Sequence, residues 1–147
     1  MLTVDFDRLA IAGSVRFVHG LSDVELAEVV GSAEIACVPS LYEGFSRPTV
    51  EAMACETPLV VSRAGAIPEV VGPDGRCADL VTPGDAAELE AALGALLDDP
   101  SRRDRMGRAG RERALAQFSW RAVAEATAAA YQRAIDDRRG EQHHADR

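Results

Sequence analysis

Two glutamates, Glu43 and Glu51, flank the turn Tyr42-Glu43-Gly44-Phe45-Ser46-Arg47-Pro48-Thr49-Val50-Glu51. Upstream, Ile35-Ala36-Cys37-Val38 is apolar and ends at Pro39, the pattern of a short buried strand. Downstream, Pro48 opens a helix, because proline in the first turn gives up no hydrogen bond that a helix needs. Gly44 permits close approach of a ligand, and the amides that follow point out of the new helix's positive end. Such a backbone seeks an anion, with one carboxylate before it and another about a turn inside the helix. A sugar joined to a nucleoside diphosphate has the matching parts: phosphates for the amides and hydroxyl pairs for the carboxylates.

A local reading competes with this one. Ser40-Leu41-Tyr42-Glu43 has capping-box spacing, so Glu43 could close a helix start. Gly44 and Pro48 follow too soon for a helix to grow from Ser40. Ser46 does not box the next helix, since Thr49 occupies the position of the expected glutamate. Glu51 also fits an ordinary surface carboxylate. On spacing alone both readings stay open.

The rest of the chain decides where this turn lies. Its 147 residues suffice for one domain with a real core. A formal charge of −8 argues against a nucleic-acid partner. All 16 basic residues are arginine, which excludes lysine chemistry. Cys37, Cys55 and Cys77 have neither metal-ligand nor redox spacing and read as buried free thiols. No metal site is expected. Without a signal peptide or a spanning apolar run, the expected compartment is the cytoplasm.

Apolar runs at Val15–Val18, Ile35–Val38, Leu59–Val61 and Ala78–Val81 read as strands. Between and after them lie helices: one capped at Ser22 with Leu26, Val29 and Val30 on its apolar face, one from Pro48, and a short one near Pro68. Others are capped at Asp85, restarted at Pro100 and opened at Ser119-Trp120. The last carries a stripe of Trp120, Val123, Thr127, Tyr131 and Ile135. Asp5–Ala12 reads as a helix tail stopped by Gly13. Residues 1–137 form the domain, and 138–147 read as a polar disordered tail. Alternation of this kind predicts an α/β fold with a parallel sheet of about four strands, flanked by helices. Ligands of such sheets bind beyond the carboxyl ends of the strands, the edge that holds Glu43.

The blocks Pro39-Ser40-Leu41-Tyr42-Glu43-Gly44-Phe45, Glu51-Ala52-Met53-Ala54-Cys55, Thr57-Pro58-Leu59-Val60-Val61, Ala66-Ile67-Pro68-Glu69-Val70-Val71, Pro83-Gly84-Asp85 and Phe118-Ser119-Trp120 occur in that order. Together they resemble the retaining glycosyltransferases of the GT-B fold, family 4, up to about Ile135. The resemblance implies a partial Rossmann-like domain, the back half of the donor-binding domain. It implies transfer of a sugar from a UDP-, GDP- or ADP-sugar to an acceptor hydroxyl, without a cofactor. Glu43 would be the catalytic-site carboxylate on the donor sugar. Gly44, Phe45, Ser46 and Arg47 would cradle sugar and diphosphate, Glu51 would take the ribose hydroxyls, and Val18 to Leu21 would lie near the base.

Two departures stand out. Glu56 replaces a glycine that would serve a left-handed turn, and Ser46-Arg47 replaces a small residue followed by an apolar one. Arg47 reads as solvent-exposed, with a phosphate contact as the alternative. The acceptor domain, the first strands of the donor domain and the family's basic diphosphate pair would lie outside this chain. It is therefore expected to be inactive unless a second chain completes it. A non-catalytic nucleotide-sugar-binding subunit and an epimerase-like enzyme on a related frame are the alternatives. Arg102, Arg103, Arg105, Arg108, Arg111 and Arg113 read as a solvated helix face, with peripheral contact to the inner face of the membrane as the alternative.

Overall fold

The computed structural model describes residues 11–145. Three parallel strands, β1 (Ala36–Val38), β2 (Leu59–Ser62) and β3 (Asp79–Val81), form a sheet in that spatial order. Registers pair Cys37 with Val60 and Val61 with Leu80. The helices are α1 (Asp23–Gly31), α2 (Arg47–Ala54), α3 (Ile67–Val71), α4 (Ala86–Leu97), α5 (Pro100–Gln117) and α6 (Trp120–Ala145).

β2 has no wet face; all four of its residues are buried. Leu59 and Val61 pack with Met53 of α2, Ile67 and Val71 of α3 and Ala114 of α5. Val60 faces the other way, into Val81, Leu96 and Met106. Each such side chain contributes about 1.5–3 kcal/mol of burial. Helices therefore cover both sides of the central strand, which is the condition for a parallel sheet.

Local chemistry sets the helix starts. Ser22 and Glu25 form a reciprocal capping box, and Asp85 Oδ1 accepts the Glu88 amide at 2.9 Å. Glu88 returns to accept the Thr82 amide at 2.7 Å. Three arginines of α5 close helix ends. Arg103 donates to the carbonyls of Leu96 and Leu97, Arg111 to Ala54, and Arg113 to Glu69 and Val70. Cations at carbonyl termini satisfy orphan acceptors and oppose the helix dipole. These three side chains therefore have structural partners, although Arg111 remains about half exposed.

Several expectations need correction. Val15–Val18 carries no strand, so among the described residues the sheet has three strands rather than four; a strand exists only where a neighbour pairs with it. β1 is consequently an edge, and Cys37 is exposed rather than buried. Leu26 and Val29 of α1 stay partly exposed, at 36% and 46%. The stripe on α6 is bare as well, with Trp120 91% exposed. α6 continues to Ala145, through the segment that composition alone reads as a disordered tail. Extending a nucleated helix costs far less than starting one. Of the expected helix tail, Ala12 falls in a 3-10 turn, Ala12–Ser14, and Asp5–Ala10 lies outside the described residues. Among the described residues, no helix is long and apolar enough to cross a membrane.

Glu56 has φ 64°, the left-handed conformation expected of the glycine it replaces. A β-carbon on Gly107 of α5 would lie 2.1 Å from the Glu56 carbonyl oxygen, so α5 presses directly on this turn. Replacing Glu56 by glycine should relieve strain and raise stability by up to about 1 kcal/mol, read from denaturant midpoints. Gly107→Ala should lower it by about 1–3 kcal/mol. Glu88 provides a pH test. Its carboxyl is held below the ordinary 4.5, chiefly by the backbone hydrogen bond from Thr82. That stabilisation is complete above about 4.5 and is lost as pH falls through the lower folded value. The stability difference between the wild type and Glu88→Gln should therefore be largest near neutrality and shrink on acidification.

Candidate functional site

The turn after β1 is fixed from three sides. Ser40 Oγ donates to Glu43 Oε1 at 2.8 Å, yet no helix begins there. The Glu43 carbonyl accepts the Ala66 amide at 3.2 Å, which ties it to the loop between β2 and α3. Gly65 in that loop has φ 52°, and a β-carbon on it would stand 1.8 Å from the Glu43 carbonyl oxygen. Only glycine permits this approach. Phe45 meets Phe118, at the end of α5, edge-to-face with centroids 5.7 Å apart.

Ser46 is the strained residue of the turn, buried at φ 64° and ψ 72°. Its hydroxyl pairs with that of the fully buried Thr49 at 2.7 Å. The left-handed residue turns the chain directly into α2. The amides of Gly44, Phe45, Ser46 and Arg47 donate to no acceptor among the described residues. Gly44 itself has no positive φ, and a β-carbon there would touch nothing. Packing does not require glycine at this position.

Glu51 accepts from Arg47 Nη2 at 2.9 Å, one turn away on the helix. Arg47 is therefore exposed, as expected, but paired. An exposed pair at this spacing is worth only about 0.3–0.5 kcal/mol. It leaves Glu51 other acceptor positions, since a carboxylate has about four. Glu51 also borders a cavity of about 300 Å³ between α1 and α2, with Leu26 and Val30 on its opposite wall. Asp23 lines the same cavity, only two residues beyond Leu21. The predicted base-side segment, Val18 to Leu21, is not among the residues that line this cavity, and Val18 is exposed. Glu43 and Glu51 share the carboxyl edge of the sheet but have separate partners.

Sequence reasoning missed Gly65 and Phe118. Gly65 lies in the strand-end loop between Ser62 and Ala66, so a glycine there was a usable signal. Nothing in the sequence announces the ring contact, because Phe45 and Phe118 lie far apart in the chain.

A family model described as glycosyl transferases group 1 matches residues 6–113. The chain belongs to that family. It is 61% identical over 127 residues to an MMP alpha-(1->4)-mannosyltransferase of Mycolicibacterium hassiacum, covering 86% of this chain and 31% of that protein. The fold superposes on sucrose-phosphate synthase from Thermosynechococcus elongatus with a TM-score of 0.81 and 33% identity, over 90% of this chain and 33% of that one. HepE of Anabaena, solved in complex with UDP-glucose, has the same fold, with a TM-score of 0.77 and 24% identity, over 86% of this chain and 34% of that one. The chain thus spans about a third of the length of these relatives.

Within this group 1 glycosyltransferase chain, the Gly65 contact sets the height of Glu43 above the sheet. Gly65→Ala should displace the Glu43 loop and cost about 1–3 kcal/mol of stability. Amide chemical shifts from Ser40 to Ser46 should move with it, while those of α4 stay in place.

Proposed function

We propose that this chain is the donor-binding half of a retaining glycosyltransferase that uses a nucleotide sugar. The observation that carries this reading is the set of four open amides at the start of α2, flanked by Glu43 and Glu51. An α-helix N-terminus with unfilled donors attracts phosphate through both hydrogen bonds and dipole. The diphosphate would rest on Gly44 to Arg47. Glu43, steadied by Ser40, would accept from hydroxyls of the sugar, and Glu51 from those of the ribose, with the base toward Val18 to Leu21. The family relationship and the 61% identical mannosyltransferase support the reading.

Retention follows from attack on the face from which the nucleotide leaves. The acceptor oxygen bonds to the anomeric carbon as the bond to phosphate breaks, and the acceptor's proton passes to the departing phosphate. Neither glutamate needs to act as a nucleophile. Glu43 positions the sugar, and the amides stabilise the charge that grows on the leaving phosphate. The acceptor would come from a domain outside the chain's own fold, in the same polypeptide or in a second one.

Calorimetric titration of UDP-, GDP- and ADP-sugars into the folded chain tests this proposal. One nucleotide class should bind, and Glu51→Ala should weaken it roughly 10- to 150-fold, the range for hydrogen bonds to a charged group. Equal binding by Glu51→Ala would refute the assignment, as would a folded chain that binds none of the three.

A further inference from the structure

A cleft of about 640 Å³ lies away from the Glu43 turn. Its walls are the loop that leads into β3, at Gly75 and Arg76, and one face of α5. That loop enters the amino end of β3, so the cleft is on the opposite edge of the sheet from Glu43. Arg76, Arg102, Arg105 and Arg108 all line it, above a floor of Met106 and Ala109.

The partners of these arginines separate them from the rest of α5. Arg103, Arg111 and Arg113 close helix ends. Arg102 is held by Asp79. Among the described residues, no ion pair or hydrogen bond engages the guanidinium of Arg76, Arg105 or Arg108. The carboxylate lining the cleft is Glu112. Asp74 lies nearby and accepts the Arg76 amide at 3.2 Å. Arg108 also borders a smaller cleft that contains Glu34, Glu56 and Asp104.

Arg102, Arg105 and Arg108 recur at i, i+3 spacing, where like charges on a helix repel one another. This concentration stands in a chain of net charge −8. Bulk attraction would not bring an anion here; a local field inside a cleft would. Guanidinium forks match phosphoryl oxygens two at a time, and the volume falls within the range of small-ligand sites.

We propose that this cleft is a second site, for an anion carrying phosphoryl groups, on the edge of the sheet opposite the donor turn. Arg76, Arg105 and Arg108 are its ligands, and Arg102, fixed by Asp79, borders it. The phosphoryl group could belong to a soluble metabolite or to a lipid headgroup.

Inorganic pyrophosphate titrated into the isotope-labelled chain tests the site by NMR. Shifts are expected at Gly75, Arg76 and Ala109, separate from any at Gly44 to Arg47. The double variant Arg105→Gln, Arg108→Gln should weaken the cleft response at least tenfold and leave any response at the α2 start unchanged. Both side chains are exposed, and circular dichroism would verify the fold. In a parallel arm, the chain is sedimented with phosphatidylglycerol vesicles. Vesicle binding that the double variant loses, with the cleft silent to pyrophosphate, would assign the phosphoryl group to lipid. A cleft silent to both probes, or a response indifferent to the double variant, would overturn the proposal.

Discussion

Burial of β2 on both faces is the constraint from which the rest of this molecule follows. A strand with no wet face must be covered by helices on each side, and only crossover connections place them there. The crossovers bring the carboxyl ends of β1 and β2 to one edge, with the loops that hold Glu43 and Gly65 adjacent. The Ala66 amide reaches the Glu43 carbonyl because these loops leave neighbouring strands at matched registers. Met106 extends the same constraint to α5, since its sulfur accepts the buried Leu59 amide at 3.4 Å.

What was legible in the sequence was mostly local. The Ser22 and Asp85 caps, the proline-led starts of α2 and α5, and the unbroken apolar run of β2 each declare themselves within a few residues. The left-handed turn at Glu56 was legible too, because its neighbours resemble a pattern with glycine there. Val15–Val18 misled because it has the composition of a strand, while composition says nothing about a pairing partner. The apolar faces of α1 and α6 misled similarly: a stripe predicts what a helix can bury, not what lies against it. In the candidate site, Glu43, Glu51 and the open amides were readable from one segment. The Gly65 contact and the Phe45–Phe118 pair depend on the fold closing, and only the first left a trace.

The arginines show how far a compositional reading can stray. Six of them on one helix look like a single basic surface. In the structure they divide by what they meet: carbonyl ends of α2, α3 and α4, the Asp79 carboxylate, or the cleft beside Arg76. Asp79 shows the cost of that placement. Burial pushes its carboxyl above the ordinary 3.8, against the pull of Arg102. Arg102 thus offsets part of what burial costs the charged form of this strand-end carboxylate.

α2 combines these themes in eight residues. A non-glycine residue in the left-handed region brackets it at each end, Ser46 and Glu56, both at φ 64°. Each costs on the order of 1 kcal/mol, which a short helix could not sustain by itself. Ser46 is retained by its buried hydroxyl pair with Thr49, and Glu56 by the pressure of Gly107. Strain that packing holds in place cannot relax when a ligand arrives. If the proposed diphosphate binds there, the amides before α2 are already held in place, and little ordering cost would remain for binding to overcome. Preorganisation of this kind lets backbone groups perform electrostatic work that flexible side chains perform poorly. The two strained residues thus tie both ends of α2 to the packing around it.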